Sequence, residues 1–357
     1  MPHWSVYTGR NEPHDGIDHL PVPPPWRAFD GGPALPPPGD SDDATAVSPD
    51  RVHRARSYVA TPESVRLVNA ALCLRRPLLV TGPPGTGKSS LAYAVARELR
   101  LGPVLRWNIT SRSSLADGLY QYDPLSRLYA ARERQDRQDR QDRQDPQDRQ
   151  DPQRQDRPSA GDVEDHLRLG PLGTALLPYD RPRALLVDEI DKSDLDLPND
   201  LLNVLEEGQY EIPELVRAAR HSQDTAAEVL ADGTDTPVAV HRGRVRCRAF
   251  PFVVLTSNGE REFPPAFLRR CVRLKLRRPD REQLTDIVRA HLDTPDAAAD
   301  RLITRFLERA GGGELATDQL LNALYLTGVS GLDAESSDDL AEQLMPYLSA
   351  TADGDGF

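Results

Sequence analysis

The sequence predicts an α/β protein, in which helices flank both faces of a parallel sheet, followed by a small all-helical lid domain. Two observations carry this prediction. From Tyr58 onward, short apolar runs typical of buried strands alternate with stretches of helical periodicity, the order expected of a parallel sheet. From about residue 279 to 350 only helical patterns remain. With 357 residues, 38% of them hydrophobic, the chain can build both cores.

The predicted elements alternate along the first domain and then become helical throughout. Four apolar runs are predicted as strands, at residues 77–80, 104–109, 184–187 and 252–256. Helical spacing predicts two helices in the first domain and four in the second, at residues 62–74, 88–100, 281–292, 298–309, 317–326 and 338–348. The resulting boundaries are an α/β domain over 55–278, a helical domain over 279–350 and a flexible tail over 351–357.

Residues 1–54 are predicted to form a largely extended arm. They contain many of the chain's 32 prolines, including two runs of three, and such composition disfavours a packed domain. Free tails seldom carry as many aromatic residues as this arm does with Trp4, Tyr7, Trp26 and Phe29. Part of the arm is therefore expected to lie against its own domain or a neighbouring subunit.

A low-complexity loop is predicted over residues 132–160. Between Arg134 and Arg157 the chain repeats Arg-Gln-Asp and has no apolar side chain, so it can bury nothing to offset the entropy lost on ordering. A solvated loop expansion is favoured over a docking motif for this segment.

Residues 82–89, GPPGTGKS, match the phosphate-loop motif G-x-x-x-x-G-K-[ST] between a predicted strand and a predicted helix. The glycines let backbone N–H groups face phosphates, and the helix adds its positive N-terminal end. Lys88 would reach the β- and γ-phosphates and the Ser89 hydroxyl would hold Mg²⁺. An ordinary Gly/Pro turn is strongly disfavoured by this context. The predicted nucleotide-binding residues are Gly82, Pro83, Pro84, Gly85, Thr86, Gly87, Lys88, Ser89 and Ser90.

A second motif, LLVDEIDK at residues 185–192, ends an apolar strand with two carboxylates. In nucleotide hydrolysis the first acid orients Mg²⁺ and a neighbouring glutamate polarises the attacking water, roles that fit Asp188 and Glu189. Helix capping is the alternative. The phosphate loop about 100 residues earlier favours the catalytic interpretation.

Polar and basic residues follow the last predicted strand. Asn258 could hold the water between the γ-phosphate and Glu189, although Thr-Ser-Asn-Gly is also an ordinary turn. The segment 263–271 then ends in Arg269 and Arg270. An arginine from a neighbouring subunit neutralises charge that develops during phosphoryl transfer, and a surface ion pair is the alternative role.

Composition argues against several other classes of protein. The chain has 56 acidic and 44 basic residues, and its formal charge of −12 disfavours non-specific attraction to nucleic acid or anionic membranes. Cys73, Cys247 and Cys271 have no partner at zinc spacing and are expected to be small buried hydrophobic residues. Without a signal peptide or an apolar run of roughly 18 to 20 residues, a cytoplasmic location is expected.

The motifs GPPGTGKS, LLVDEIDK, TSN and PPAFLRRC, in this order and before a helical domain, resemble an AAA+ ATPase over about residues 58–330. More narrowly, the chain resembles the MoxR family. Residues 117–124 and 169–173 look like the hairpin inserted into the second helix of that clade. Residues 199–208 (NDLLNVLEEG) also resemble the MoxR family. The Arg-Gln-Asp repeat would then sit at the tip of the insert.

This resemblance implies ATP bound between the subunits of a ring, hexameric or with an open seam. It assigns Lys88 and Ser89 to the phosphates and Mg²⁺, Asp188 and Glu189 to metal and water, and Asn258 to sensing the γ-phosphate.

For the arginine acting in trans, the resemblance implies Arg270, which stands just before Cys271, with Arg269 as the second choice. One departure concerns the lid, where many AAA+ proteins carry an arginine near the start of a late helix. Residues 315–320 contain none. Turnover would therefore depend more on Arg269 and Arg270.

The leading hypothesis is a Mg²⁺-ATP hydrolase whose ring remodels a protein partner, for which MoxR relatives suggest a protein with a von Willebrand factor A domain. The alternative is the NTPase subunit of a nucleic-acid-directed restriction or defence system. Its support is the basic segment Arg242–Arg248, expected to form a hairpin, and the net charge and missing stacking platform oppose it. A nucleotide switch without turnover is disfavoured by Glu189, and a small-molecule kinase is less favoured still.

Overall fold

The computed structural model describes residues 4–36, 39, 48–133, 161–220, 226–292, 297–310, 315–330 and 334–347. The repeat over residues 134–157 and the predicted tail over 351–357 lie outside the described residues, so the predictions for both remain predictions.

The described residues contain eleven strands: β1 (Leu78–Thr81), β2 (Leu105–Asn108), β3 (Tyr120–Tyr122), β4 (Leu167–Leu169), β5 (Ala184–Asp188), β6 (Gln209–Glu211), β7 (Ala226–Leu230), β8 (Pro237–His241), β9 (Arg244–Arg246), β10 (Phe252–Ser257) and β11 (Val272–Lys275). Five of them form a central parallel sheet in the order β11-β1-β10-β5-β2, which confirms the α/β prediction. The sequence analysis did not predict β11, an edge strand that buries little of its surface.

Successive side chains of the central strands enter two different cores, because neighbouring residues of a strand point to opposite faces of a sheet. Leu79 and Leu185 lie in one core, whereas Leu78 and Leu186 lie in the other, together with the helix Lys88–Glu98. Both faces of the sheet are therefore covered, as the near-continuous apolar strand sequences predict.

Helices of the first domain span Pro49–Ser57, Pro62–Leu74, Lys88–Glu98, Leu115–Leu119, Gly161–Glu164, Pro171–Ala175, Leu197–Glu207, Pro213–Ala219 and Pro265–Leu268, and residues 124–133 are helical as well. The C-terminal region, for which a lid domain was predicted, contains the helices Arg281–Leu292, Ala297–Ala310, Thr317–Ser330 and Ala334–Leu344. These four helices share a separate core that includes Leu284, Ile303 and Leu320. None of the helices in the described residues is long and apolar enough to cross a membrane.

The described residues also form two smaller sheets, one of four strands and one of two. Strands β3 and β4 pair antiparallel and continue through β7 and β8, so the two halves of the predicted inserted hairpin do meet. The hairpin predicted over Arg242–Arg248 is wrong in its pairing. Arg242 and Gly243 make a turn with positive φ angles between β8 and β9. The two strands beside this turn belong to different sheets, because β8 pairs with β7 and β9 pairs with β6.

Residues 4–36 form an N-terminal belt that lies against the α/β domain. The buried Asn69 side chain fixes its start, because Asn69 Oδ1 accepts hydrogen bonds from the backbone nitrogens of Val6 (2.7 Å) and Tyr7 (2.9 Å). The buried carboxylate of Glu98 accepts further backbone hydrogen bonds from the belt. Val6 and Tyr7 thereby join the core of the central sheet.

Arg27 holds the middle of the belt. Its buried guanidinium donates to the carbonyl oxygens of Arg75 (3.0 and 2.6 Å), Leu205 (3.1 Å) and Glu206 (3.1 Å). These carbonyls end two helices and lack partners within them, so one side chain caps both. Burial lowers the pKa of this guanidinium, and the Glu206 carboxylate opposes the shift.

The predicted extended arm is wrong for its last residues, because residues 49–57 form a helix. Pro49 opens this helix, a position at which proline needs no hydrogen-bond partner. The helix buries only two small side chains, Ala55 and Ser57, so it leaves no apolar periodicity in the sequence.

Two of the three cysteines are buried as predicted, and burial raises the pKa of the Cys247 and Cys271 thiols to about 12. Cys73 departs from the prediction, because it is only half-buried near the end of its helix.

Candidate nucleotide and magnesium site

The phosphate loop connects β1 to the helix Lys88–Glu98 and depends on its glycines. Gly82, Gly85 and Gly87 have φ angles of +156°, +73° and +80°. A Cβ atom at Gly85 would also lie 2.6 Å from the Cβ atom of Ala316, where no side chain fits. Glycine is therefore required here both for backbone conformation and for space.

The other loop residues complete a tight curve. Thr86 Oγ1 donates a hydrogen bond to Pro83 O (2.9 Å), Pro84 is exposed, and Ser90 is half-buried in the first turn of the helix. Tyr58, which is buried, lies beside the last glycine of the loop, Gly87.

Lys88 lies inside this curve. Its Nζ donates to the carbonyl oxygens of Gly82 and Pro83, each at 2.8 Å, so the ammonium is held where a bound phosphate would meet it. Burial lowers the pKa of Lys88, and nearby carboxylates, Asp191 first, oppose the shift. The loop therefore fits a triphosphate, since the hydrogen bonds that its buried ammonium makes to described residues go to carbonyls, which it can exchange for phosphate oxygens.

Asp188 lies at the carboxyl end of β5, and its carboxylate accepts hydrogen bonds from side chains of three other elements. Its Oδ1 accepts hydrogen bonds from Ser89 Oγ and Thr256 Oγ1, both at 2.7 Å. Its Oδ2 accepts from the Arg106 guanidinium at 3.1 Å. Neither Thr256 nor Arg106 was among the predicted site residues. Thr256 follows Leu255, the register partner of Val187, and Arg106 lies on β2, the other neighbour of β5.

The oxygens of Ser89 and Asp188 fit a magnesium ion, which prefers few protein ligands and completes its shell with water and phosphate oxygens. Within the described residues, no group of three His, Cys, Asp or Glu side chains could hold a metal ion. A single carboxylate beside a hydroxyl is the donor set expected where the substrate supplies further ligands.

Glu189 adopts a left-handed backbone conformation, with φ +62°, directly after β5. Its backbone nitrogen donates to Thr256 Oγ1 (2.9 Å), which fixes the turn, while the side chain remains partly exposed. Its Oε2 accepts a hydrogen bond from Lys192 Nζ at 2.8 Å. A non-glycine residue in this region carries strain, and such strain concentrates at functional sites.

Asp191 organises the loop that carries Asn258. It is buried, and its Oδ2 accepts hydrogen bonds from the backbone nitrogens of Asn258 (2.9 Å), Gly259 (3.1 Å) and Glu260 (3.1 Å). The structure thereby ties Asn258 to the segment that begins with Glu189. Asp191 was missed as a site residue, although it is the third acid of the same motif.

An open cavity of about 640 Å³ adjoins Glu189. Its walls come from the loop after β2, the segment after β5 and the loop after β10, and it is lined by Asn108, Ile109, Thr110, Ser111, Glu189, Asp191, Lys192, Glu260 and Arg261. Three of these residues are acidic and two, Lys192 and Arg261, are basic, so the lining is polar and nearly balanced in charge.

Arg269 and Arg270 lie at the opposite end of the sheet. They follow the short helix Pro265–Leu268 and precede β11, whose first residue, Val272, donates a backbone hydrogen bond to Pro77 O (2.9 Å). The phosphate loop begins only after the far end of the neighbouring strand β1, about 13 Å away at 3.3 Å per residue. The structure does not bring the arginine pair to the phosphate loop of the same chain.

The C-terminal region also contacts the phosphate loop. The helix Thr317–Ser330 begins beside Gly85, since a Cβ atom there would lie 2.8 Å from Thr317 N. The stretch in which a lid arginine was expected contributes Ala316 to this contact.

A sequence model of the AAA domain (dynein-related subfamily) matches residues 77–271. The match covers more than half of the 357 residues and contains every predicted site residue from Gly82 to Arg270. No protein with a curated function matches this chain. The matched sequence, the five-stranded parallel sheet and the phosphate loop at its carboxyl end agree, and the chain belongs to the AAA domain family, dynein-related subfamily.

Proposed function

We propose that this chain hydrolyses Mg²⁺-ATP at the subunit interfaces of a ring, most simply a hexamer, and uses the cycle to remodel or assemble a protein partner in the manner of MoxR-type AAA+ ATPases. AAA domains are ATPases that bind nucleotide, usually with Mg²⁺, and commonly oligomerise into rings. The observation that carries the proposal is the separation of the phosphate loop and the arginine pair at opposite ends of one sheet. A complete site then needs two copies of the chain.

Within one copy, the backbone of the phosphate loop and the Lys88 ammonium bind the β- and γ-phosphates. Ser89 and Asp188 would hold the Mg²⁺ ion, which neutralises phosphate charge when bound. Glu189 accepts the proton of the attacking water, and Asn258 orients that water. Thr256 supports both carboxylate positions through its bonds to Asp188 Oδ1 and the Glu189 backbone.

The second copy supplies the arginine. Arg270 is the proposed trans residue and Arg269 the second choice, and the open cavity beside Glu189 offers space for a side chain of the second copy. Such an arginine stabilises the charge that develops on the transferred phosphoryl group, an effect worth 10³ to 10⁵ in turnover.

A protein partner is favoured over nucleic acid. Three arginines of the basic segment form ion pairs with acidic residues: Arg244 with Glu211, Arg246 with Asp30, and Arg248 with Asp180. Paired in this way, they offer little free charge to a phosphate backbone. We retain a protein with a von Willebrand factor A domain as the proposed partner and a cytoplasmic location, both on the basis of the sequence.

The test is the steady-state ATPase rate per mole of protein, measured with Mg²⁺ over a range of protein concentrations. Wild type should show specific activity that rises with concentration. Arg270→Ala should bind ATP normally and lose about 10³-fold in turnover. Arg273→Ala, an exposed arginine on β11, serves as the matched control and should behave as wild type.

Mixing two inactive variants gives the sharper result. Lys88→Ala keeps its arginine pair and Arg270→Ala keeps its phosphate loop, so a mixed ring contains some complete sites and should regain activity. Concentration-independent turnover in wild type, together with full activity of Arg270→Ala, would establish a self-contained monomeric NTPase and overturn the proposal.

A further inference from the structure

Four large apolar side chains are exposed around the carboxyl end of the helix Pro62–Leu74. They comprise three residues of the N-terminal belt and one of the helix, and are named the belt patch: Trp4, Val22, Trp26 and Leu74. Val22 is 89% exposed and Trp26 is 76% exposed. Exposed side chains of this size and number at one place mark interaction surfaces more often than ordinary surface.

Contacts with the end of the helix hold the belt patch in place. Cys73 Sγ donates to Trp4 O (3.4 Å), and the Arg75 guanidinium donates to Pro21 O (2.7 Å), next to Val22. Trp26 directly precedes Arg27, whose buried guanidinium binds Arg75 O. The apolar side chains are therefore presented by an anchored backbone, which reduces the entropy lost on binding.

The belt patch adjoins the arginine pair. Arg76, the residue after the anchoring Arg75, donates from its guanidinium to Arg269 O at 2.8 Å. Both surfaces therefore lie at the amino end of the central sheet, facing away from the phosphate loop of their own chain.

We propose that the belt patch is part of the interface between copies of this chain and docks on the phosphate-loop side of the next copy, beside the site that receives Arg270. The inference rests on the proposed function, because it places the second copy where the trans arginine requires it. It adds that the N-terminal belt, which lies outside the matched AAA region, contributes to assembly.

The same chain exposes apolar side chains on the side that the second copy would present. Leu195 follows the segment that begins with Glu189, and Tyr325 and Leu326 lie on the helix that begins beside Gly85. A head-to-tail contact joins two different surfaces of one chain, and its repetition forms a ring when the rotation between copies closes. Tryptophan and tyrosine are enriched at the centres of such interfaces.

The experiment compares Trp26→Ser and Trp26→Phe with the control Tyr129→Ser, which removes an exposed aromatic side chain elsewhere in the molecule. ATPase rates are measured over a range of protein concentrations. Trp26→Ser should need about tenfold more protein for half-maximal specific activity, with unchanged ATP affinity and unchanged plateau. Trp26→Phe should need a protein concentration between those of wild type and Trp26→Ser, and Tyr129→Ser should need the same concentration as wild type. Val22→Ser is a second variant in the same patch and should shift in the same direction.

The outcomes separate this inference from the proposed function. If wild type and Arg270→Ala behave as proposed but Trp26→Ser and Val22→Ser assemble at wild-type concentrations, the belt patch is not an interface and the ring ATPase stands. If wild-type activity is independent of concentration and Arg270→Ala is active, the proposed function fails and the inference falls with it.

Discussion

The two ends of the central sheet are constructed differently. At the carboxyl end, the phosphate loop, the segment after β5 and the loop after β10 meet through short polar contacts centred on Asp188 and Asp191. At the amino end, the N-terminal belt crosses the domain and joins distant parts of the chain through buried groups such as Arg27 and Glu98.

This difference predicts that substitutions at the two ends affect different properties. Changes at the carboxyl end should alter nucleotide binding and turnover while leaving the free energy of unfolding nearly unchanged. Changes in the buried contacts at the amino end should do the reverse. Arg270, which is partly exposed, and the belt patch should act only when a second copy is present.

The largest expected effect is the loss of ATP binding in Lys88→Ala. Lys88 carries the one ammonium held inside the phosphate loop, and its partners there are the carbonyls of Gly82 and Pro83. Affinity is measured by calorimetry with Mg²⁺-ATP. Lys275→Ala, which removes an exposed lysine from the same end of the neighbouring strand β11, should bind ATP as wild type does. Near-normal affinity in Lys88→Ala would remove the phosphate-loop assignment.

Glu189→Gln should bind ATP normally and hydrolyse it about 10² to 10⁴ times more slowly, since the amide cannot accept the proton of the attacking water. Single-turnover kinetics measure this step apart from binding. Glu260→Gln is the matched control, because Glu260 lines the same cavity without following β5. Wild-type turnover in Glu189→Gln would exclude it as the base.

Arg27→Met should lower the free energy of unfolding by about 3 kcal/mol, because three helix-end carbonyls lose their donor at a cost of about 1 kcal/mol each. ATP affinity should stay unchanged, which sets the amino end apart from the carboxyl end. Denaturant unfolding and calorimetry on the same sample measure both quantities.

Arg181→Met provides the control for Arg27→Met. Arg181 pairs with the exposed carboxylates of Asp15 and Asp18 in the same belt, and exposed ion pairs contribute about 0 to 1 kcal/mol. Equal destabilisation by the two variants would show that Arg27 acts as an ordinary surface charge, and the contrast between the two ends would fail.

The candidate site residues at the carboxyl end of the sheet could be predicted from the sequence because they lie in contiguous motifs. Eight consecutive residues define the phosphate loop, and Asp188 and Glu189 stand side by side after an apolar strand. Four of the five central strands and six of the helices were predicted for the same reason, since apolar periodicity is local. The short edge strand β11 escaped prediction because half of its residues face solvent.

Contacts between residues far apart in sequence could not be predicted in this way. Arg27 meets Leu205 across 178 positions, and Asn69 meets Val6 across 63, with no pattern in the sequence to connect them. An arginine in a proline-rich arm indicates a solvated charge, and only the fold places it between two helix ends. Thr256 and Asp191 were missed for another reason. Each lies two positions from a residue to which the sequence analysis assigned a role, Asn258 and Glu189 respectively.

The smallest expected effect tests Thr256, which connects the two predicted carboxylates at the carboxyl end. Thr256→Val keeps the shape of the side chain but removes the donor to Asp188 Oδ1 and the acceptor for Glu189 N. We expect turnover to fall about tenfold, the equivalent of about 1.4 kcal/mol.

Ser257→Ala is the control for Thr256→Val, because the Ser257 hydroxyl accepts a hydrogen bond from Gly259 N and belongs to the same strand end. Steady-state kinetics at saturating Mg²⁺-ATP and at limiting Mg²⁺ distinguish an effect on Glu189 from one on the metal site. A loss that persists at saturating Mg²⁺ assigns Thr256 to the placement of Glu189, whereas a loss reversed by added Mg²⁺ assigns it to Asp188. Unchanged turnover under both conditions would show that the hydroxyl connects the two carboxylates without affecting either role.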